Sequence, residues 1–255
     1  MSLIELKNLE VRIGNKEILK SINLSIEAGT VTAFVGPSGS GKTTLLRTIN
    51  LLQLPSSGTL KVGNTKVTGG KISKSDIHDI RSHSTMVFQQ FNLFKNYTVL
   101  QNVVQPLILS GRFSKKEAET VAHASLEKVG LAAFEEQYPV TLSGGQQQRV
   151  GIARATAFKS DIILFDEPTS ALDPEMVDGV LQVIAALAKE KISMILVTHE
   201  MEFARKIADN VVFIENGEIL TQGPANLLLS NDSSHNRVRS FVSSLYRGSL
   251  ESSAL

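Results

Sequence analysis

The sequence predicts an α/β protein with three parts: a core around a parallel sheet, an N-terminal antiparallel β subdomain and an inserted helical subdomain. Apolar and polar residues alternate between positions 3 and 26, which is the period of a half-buried strand. Hairpin signals stand at Gly14-Asn15 and Gly63-Asn64. These patterns predict an antiparallel sheet built from about residues 1–30 and 57–68.

Short and almost continuously apolar runs predict the strands of the core. They cover residues 31–35, 85–88, 162–165 and 193–197. Such runs fit a parallel sheet that is buried on both faces, and helical patterns separate them, as α/β architecture requires. The clearest helix covers residues 173–189, with Asp173 at the N-cap and Pro174 at the first helical position.

Residues 91–152 read mainly as helix and predict the inserted helical subdomain. Ser114 and Glu117 form a capping-box pattern, and Gly130 is placed to end the helix that begins there. The chain beyond residue 220 is rich in Ser and Asn, with one apolar stretch around Phe241 and Leu245 that predicts a weak helix or a loose cover. We therefore expect one domain over residues 1–245 and a C-terminal tail over 246–255.

Composition excludes several classes of function. The chain has 255 residues, a net charge of +1 and no long run of one sign, so the electrostatic footprint of a nucleic-acid-binding protein is absent. It has no cysteine, which excludes a disulfide framework and suits the cytosol. The N-terminus does not resemble a signal peptide, and no run reaches the roughly 18 apolar residues of a spanning helix. We expect a soluble chain that reaches a membrane only through partners.

A complete phosphate-binding pattern, G-x-x-x-x-G-K-[ST], occurs at residues 36–43. It reads Gly36-Pro37-Ser38-Gly39-Ser40-Gly41-Lys42-Thr43. Glycines let the backbone bend so that its N–H groups point at a phosphate, and the next helix would add its positive end. In this pattern Lys42 reaches the β- and γ-phosphates and Thr43 ligates Mg²⁺. A chance glycine-rich turn is the alternative, but the predicted strand before and helix after favour nucleotide binding.

Two adjacent acids follow the third apolar run. Asp166 ends the predicted strand, where a buried sheet can hold a carboxylate near Mg²⁺, and Glu167 is placed to polarise an attacking water. Paired acids at strand ends are also common as solvated turn formers. Their position after a phosphate loop and before the run at 168–173 favours catalysis.

Further short motifs stand in a fixed order along most of the chain. They are Gln89 after Val87-Phe88, the segment Leu142-Ser143-Gly144-Gly145-Gln146, the segment Ser170-Ala171-Leu172-Asp173, and His199 in Val197-Thr198-His199-Glu200. With the phosphate loop and the acidic pair, they resemble the glutamine loop, signature, D-loop and switch histidine of the ATP-binding subunit of an ABC transporter. Three segments resemble the bacterial importers of polar amino acids: residues 88–94 around Gln89, residues 169–175, and residues 198–205 around His199.

The resemblance implies an ATPase that uses ATP and Mg²⁺, with Glu167 and His199 as catalytic residues and Thr43, Gln89 and Asp166 as metal ligands. The implied nucleotide contacts, some of them toward a nucleotide held by a partner chain, are Ile13, Gly36, Pro37, Ser38, Gly39, Ser40, Gly41, Lys42, Thr43, Thr44, Gln89, Ser143, Gly144, Gly145, Gln146 and Asp173. Where the family usually stacks the adenine on an aromatic residue, this chain has Ile13.

The implied partners are a second copy in a head-to-tail dimer, integral membrane permease subunits and a solute-binding protein, with no nucleic acid. The implied location is the cytoplasmic face of the cell membrane. Residues 91–97 contain three aromatic side chains, which either pack the helical subdomain or line a groove that receives a permease helix.

Three alternatives stay open at this point. The same ATPase could serve another transporter, such as a methionine importer or a lipid or peptide exporter. A soluble ABC ATPase of DNA repair or translation is disfavoured because this chain has one phosphate loop, one signature and no long heptad run. A non-hydrolysing nucleotide-binding module should lack Glu167 or His199, and both are present.

Overall fold

A computed structural model describes residues 2–230 and 233–252, with the backbone alone for 245–252. The strands are β1 (Ser2–Ile13), β2 (Lys16–Glu27), β3 (Val31–Val35), β4 (Ser57–Val62), β5 (Thr65–Thr68), β6 (Ser84–Val87), β7 (Ile162–Asp166), β8 (Met194–Val197), β9 (Asn210–Glu215) and β10 (Glu218–Pro224). The helices are α1 (Lys42–Ile49), α2 (Lys74–His83), α3 (Val99–Leu109), α4 (Lys115–Lys128), α5 (Gly144–Ala157), α6 (Pro174–Lys189), α7 (Met201–Ile207), α8 (Ala225–Leu228) and α9 (Asn236–Ser252). Over these described ranges no helix has the length and apolar character needed to cross a bilayer.

The predicted N-terminal sheet is confirmed. It has four antiparallel strands in the order β2-β1-β4-β5. The alternation in β2 places Ile22, Leu24 and Ile26 inside and Asn23 and Ser25 outside, as the period of two requires. One face of this sheet therefore packs on the core while the other stays exposed.

The core sheet has six strands in the order β10-β9-β3-β8-β7-β6. All pairs among β9, β3, β8, β7 and β6 are parallel, and β10 adds an antiparallel edge. Every residue of β3, β7 and β8 is buried, which confirms the reading of continuous apolar runs as two-sided strands. The carboxyl ends of β3, β7 and β8 consequently meet at one edge of the sheet.

Successive residues of β7 face two different hydrophobic layers. Ile162 and Leu164 join the cluster under the antiparallel sheet and α1, whereas Ile163 and Phe165 join the cluster formed with α3 to α6. This alternation fixes the side-chain positions along β7 before it reaches Asp166. The position of the Asp166 carboxylate is therefore fixed by a strand that is packed on both faces.

The helical part follows its sequence signals. Ser114 caps α4 in a complete capping box with Glu117, and Thr98 caps α3 in the same way with Gln101. The predicted end of the helical region at residue 152 is early, because α5 continues to Ala157 and packs its buried face on the core.

The C-terminal segment packs more tightly than the expected loose cover. Helix α9 buries Val238, Phe241 and Val242 against β9, and the ring of Phe241 meets Phe213 edge-on with centroids 5.4 Å apart. The side chain of Leu245 lies outside the described residues. The division into a domain of residues 1–245 and a tail of 246–255 stays a prediction.

Candidate nucleotide-binding site

The phosphate loop joins β3 to α1, as the sequence predicts. Gly36, Gly39 and Gly41 have φ angles of 143°, 75° and 106°, which side-chain-bearing residues rarely adopt. A Cβ on Gly36 would lie 2.0 Å from the carbonyl oxygen of Ile214, so no larger residue fits there. Helix α1 begins at Lys42, and its free N–H groups end at this loop.

A turn of the core sheet braces the loop from behind. The backbone N–H of Gly217, between β9 and β10, donates to the carbonyl of Ser40 at 3.1 Å. The carbonyl of Gly217 accepts from the N–H of Lys20 in β2 at 2.8 Å. The loop is therefore tied through one glycine to both sheets.

Lys42 lies inside the loop. Its ammonium donates to the carbonyls of Gly36 at 2.9 Å and Pro37 at 2.8 Å, and the residue is 5% exposed. Burial lowers the pKa of the Lys42 ammonium, and the negative charge of Glu167 opposes that shift. A phosphate in the loop would offer this ammonium a charged acceptor in place of neutral carbonyls.

The hydroxyl of Ser40 is buried within the loop and has no hydrogen-bond partner in the described part of the chain. A buried hydroxyl without a partner costs free energy, so an acceptor such as a phosphate oxygen suits this position. The orphaned hydroxyl and the buried ammonium together fit the phosphate groups of a nucleotide.

Asp166 lies at the end of β7, with its side chain 3% exposed. One carboxylate oxygen accepts from the hydroxyl of Thr43 at 2.8 Å. The other accepts from Nε and Nη2 of Arg47 at 3.2 and 3.0 Å. Arg47 was not predicted from the sequence, although its place one helical turn after Thr43 puts both on one face of α1. That spacing is the signal that could have found it.

Glu167 and His199 follow the neighbouring parallel strands β7 and β8, and the sheet brings them together. Nε2 of His199 lies 3.3 Å from Oε1 of Glu167, and the hydroxyl of Ser170 donates to Oε2 of Glu167 at 3.0 Å. Glu167 has a φ of 48°, in the left-handed region that is costly for a side-chain-bearing residue. The backbone thus turns sharply here and directs the carboxylate toward the histidine.

Gln89 stands two residues beyond β6 at the same edge of the sheet. Its side chain is exposed and forms no hydrogen bond with Thr43 or Asp166 within the described residues. Gln148 of α5 donates to the carbonyl of Phe88 at 3.1 Å and so links this loop to the helical subdomain. Of the three predicted metal ligands, Thr43 and Asp166 are therefore hydrogen-bonded to each other, and Gln89 contacts neither of them through a hydrogen bond.

Within residues 2–230 and 233–252, no three or more His, Asp or Glu side chains are grouped so that they could bind a metal ion together. Mg²⁺ normally keeps several waters and uses one or two protein groups together with substrate phosphates. The Thr43 hydroxyl and the Asp166 carboxylate, 2.8 Å apart beside the loop, are suited to such a site.

The signature segment forms the start of α5. Ser143 is the N-cap and makes a complete capping box with Gln146. A Cβ on Gly145 would lie 3.2 Å from Cβ of Met176, and a Cβ on Gly144 would lie 3.1 Å from Cδ2 of Leu172. These glycines therefore pack closely against the D-loop and α6 of the same chain, and a larger residue there would have to displace Leu172 or Met176 by a few tenths of an ångström.

Two further predicted contacts, Asp173 and Ile13, lie at exposed positions. Asp173 occupies the N-cap of α6, as predicted, but its side chain makes no capping hydrogen bond. Ile13 ends β1 with 51% of its side chain exposed. Both positions are open to a partner or a ligand, and their contacts stay predictions.

Fold and site together define a phosphate-loop ATPase with an inserted helical subdomain. The family model described as ABC transporter matches residues 19–170. The chain is 51% identical over 246 residues to an L-cystine transport system ATP-binding protein of Escherichia coli K12, covering 95% of this chain and 98% of that one. It is 48% identical over 241 residues to the glutamine transport ATP-binding protein of the same organism, covering 94% and 98%.

Solved structures of ABC proteins are similar to this chain. A dimeric ATP-binding cassette bound to ADP and phosphate matches with a TM-score of 0.76 at 35% identity, over 87% of this chain and 98% of that one. The protein cbiO1 from Clostridium perfringens, part of the ABC transporter complex cbiONQ, matches with a TM-score of 0.78 at 26% identity, over 95% of this chain and 99% of that one. This chain belongs to the ABC transporter family, as one of its ATP-hydrolysing subunits. The predicted family and fold are confirmed.

Proposed function

We propose that the chain powers the import of a polar amino acid across a bacterial cytoplasmic membrane. The main support for this proposal is sequence identity. The chain is 51% identical to a subunit named for cystine transport and 48% identical to one named for glutamine transport, over nearly the whole length of each chain. A related import subunit of Bacillus subtilis, described as a probable amino-acid importer, is 45% identical over 240 residues. These relatives favour the import of a polar amino acid over the import of methionine and over export.

In this proposal the phosphate loop binds ATP, and Thr43 and Asp166 hold Mg²⁺. The metal supplies positive charge that stabilises the phosphates as the γ-phosphoryl group leaves. Lys42 exchanges its carbonyl partners for phosphate oxygens, and Ser40 donates to one of them. Arg47 neutralises Asp166 while no cation is bound, because a buried carboxylate needs a charged partner.

Glu167 acts as the general base toward the attacking water. His199, 3.3 Å from one of its oxygens, would orient the carboxylate and, when ATP is bound, would contact the γ-phosphate. Ser170 holds the second oxygen at 3.0 Å. The carboxylate is thus fixed by two side chains on different loops, which supports a catalytic position over that of a solvated turn.

The active form is a head-to-tail dimer. Lys42, Asp166 and Glu167 of one chain and Ser143 and Gly145 of the other enclose each nucleotide. The free N–H groups at the start of α5 provide a positive helix end for a γ-phosphate. The solved dimeric ATP-binding cassette with a TM-score of 0.76 supports a dimer, and the head-to-tail arrangement is part of this proposal.

The permease docks on the exposed aromatic pair Phe94 and Tyr97, whose rings lie 5.4 Å apart with 50% and 38% exposed. The fully buried Asn102 donates to the carbonyls of Phe94 and Tyr97 at 3.1 Å each and accepts from the Phe94 N–H at 2.8 Å. The backbone is therefore held from inside while the rings face outward. That arrangement supports docking over core packing.

The remaining partners and the location follow from the same proposal. A solute-binding protein delivers the amino acid to the permease, and the chain sits peripherally on the cytoplasmic face of the membrane. Nucleic acid is not a partner.

The test is ATP-dependent uptake. A tagged chain is purified from membranes with its permease, reconstituted in vesicles with the solute-binding protein, and supplied with labelled cystine, glutamine and methionine. The proposal requires uptake of a polar amino acid that needs ATP and stops in Glu167→Gln. Uptake of methionine alone, or outward transport, would assign the same ATPase to another transporter.

A further inference from the structure

A cavity of about 590 Å³ lies between the helical subdomain and the core, on the side of β7 away from the phosphate loop. It is bounded by α4 and α5 on one side and by the start of β7 and the end of α6 on the other. Ile163 lines it, three residues before Asp166, which is about 10 Å along a strand. The volume falls within the roughly 300–1,000 Å³ of small-molecule sites. The cavity is therefore separate from the nucleotide site and large enough for a ligand.

The walls of the cavity are mainly aliphatic. They are formed by side chains from both parts of the molecule: Val121, Ala124, Ala155, Ile163, Leu187 and Ile192. Such walls favour the apolar body of a ligand because its transfer from water is favourable. They offer no aromatic ring for stacking.

One hydroxyl in the cavity is free. Ser125 of α4 is only 7% exposed, and its side chain has no hydrogen-bond partner among the described residues. The other hydroxyls that line the cavity, those of Thr120, Thr156 and Ser160, already have partners at 2.9, 3.0 and 2.9 Å. The hydroxyl oxygen of Ser125 is not among the fully buried atoms that lack a partner, so this hydroxyl is accessible from the cavity and can hydrogen-bond to a polar group that enters there.

The charge at the cavity is positive. Lys128 and Glu190 neutralise each other through an ion pair of 2.8 Å that joins α4 to the end of α6. Lys159, which also lines the cavity, has no ion-pair partner within the described ranges. One uncompensated ammonium therefore stands beside an aliphatic space and a free hydroxyl.

We propose that this cavity binds a small amphipathic anion, an aliphatic carboxylic acid with its chain between α4, α5 and β7. The carboxylate meets Lys159, and Ser125 supplies a hydrogen bond. Because the ligand contacts both the helical subdomain and the core, it resists movement of one against the other and slows ATP turnover without competing with ATP.

Octanoate is the probe, with octan-1-ol and octylamine as uncharged and cationic analogues of the same length. Calorimetry on the full chain should show one saturable octanoate site per chain, weaker binding of octan-1-ol and none of octylamine. Saturating ATP should leave octanoate binding unchanged. Octanoate that associates without saturation, or that ATP displaces, would overturn the proposal.

Substitutions locate the site. Lys159→Gln should weaken octanoate about threefold at low salt, as expected for an exposed charge pair. The matched control Lys116→Gln, at an exposed lysine of α4 outside the cavity, should not. Ala124→Phe, at an exposed position on the cavity wall, should abolish binding. Equal affinity in Ala124→Phe and the unmodified chain would contradict the proposal.

Photolabelling gives a result that does not depend on a folded variant. An octanoate carrying a diazirine on its chain is irradiated with the full-length protein, and the labelled peptides are identified by mass spectrometry. The label should fall on α4, α5, the start of β7 or the end of α6, and excess octanoate should remove it. Label on the phosphate loop or scattered over the surface would exclude this site.

Discussion

Arg47→Met tests whether the guanidinium holds Asp166 in the absence of a nucleotide. The side chain of Asp166 is 3% exposed and that of Arg47 is 47% exposed. Breaking a buried pair costs about 3–5 kcal/mol, and an exposed pair contributes about 0–1 kcal/mol. For a pair with one buried partner we expect a loss of about 2 kcal/mol in the free energy of unfolding, since methionine keeps the aliphatic stem.

The assay is urea denaturation of the ligand-free chain, with thermal unfolding as a second measure. A loss of about 2 kcal/mol corresponds to about 4–8 °C in Tm for a chain of this size. The matched control is Arg12→Met, because Arg12 pairs with Glu17 at 3.3 Å with both side chains exposed. We expect the control to cost less than about 1 kcal/mol.

A second measurement compares the stability of both variants and the unmodified chain with and without Mg²⁺ and ATP. Mg²⁺ with ATP should stabilise Arg47→Met more than the unmodified chain, because the cation takes over the neutralisation of Asp166. If Arg47→Met and Arg12→Met unfold alike, and Mg²⁺ with ATP stabilises both equally, Arg47 does not support Asp166 and the reasoning fails.

Three further predictions concern hydrolysis, assembly and docking. Glu167→Gln should keep ATP binding, lower turnover about 10²–10⁴-fold and trap a dimer with ATP; a monomer with full turnover in size-exclusion and ATPase assays would refute the assignment. Mixing Lys42→Ala with Ser143→Arg chains should give dimers with one defective and one intact site in nucleotide-binding titrations, whereas defects at both sites would contradict the trans arrangement. Phe94→Ser or Tyr97→Ser should weaken co-purification with the permease while Tm and basal ATPase activity change little; a sharp fall in Tm with normal assembly would make the segment core.

The phosphate loop could be predicted completely because its information is local. Gly36, Gly39 and Gly41 are set by backbone angles and by the strand and helix that flank them. The same holds for the capping boxes, in which the two partners stand three residues apart. Of these capping boxes only Ser114–Glu117 was predicted, and the predicted cap Asp173 makes no capping hydrogen bond, so residue order indicated local contacts without fixing all of them.

Long-range contacts could not be predicted in this way. Arg47 and Asp166 are 119 residues apart in the chain, and only the packing of α1 beside β7 brings them together. Strand β9 and the edge strand β10 were also missed, although Asn216-Gly217 is a hairpin signal between them. The buried Asn102 gave no signal because an amide in an apolar helix normally reads as a surface residue.

The three-way junction at Gly217 bears on how the nucleotide meets its site. The loop carbonyl of Ser40, the β9–β10 turn and β2 share two backbone hydrogen bonds through this one residue. Because the phosphate loop is hydrogen-bonded to two sheets, its backbone is already ordered without a nucleotide. Nucleotide binding therefore costs little conformational entropy of the loop backbone. What must rearrange is confined to side chains, above all the Lys42 ammonium as it leaves its two carbonyls. Recognition of ATP by this chain is thus a local exchange of hydrogen-bond partners on a fixed backbone.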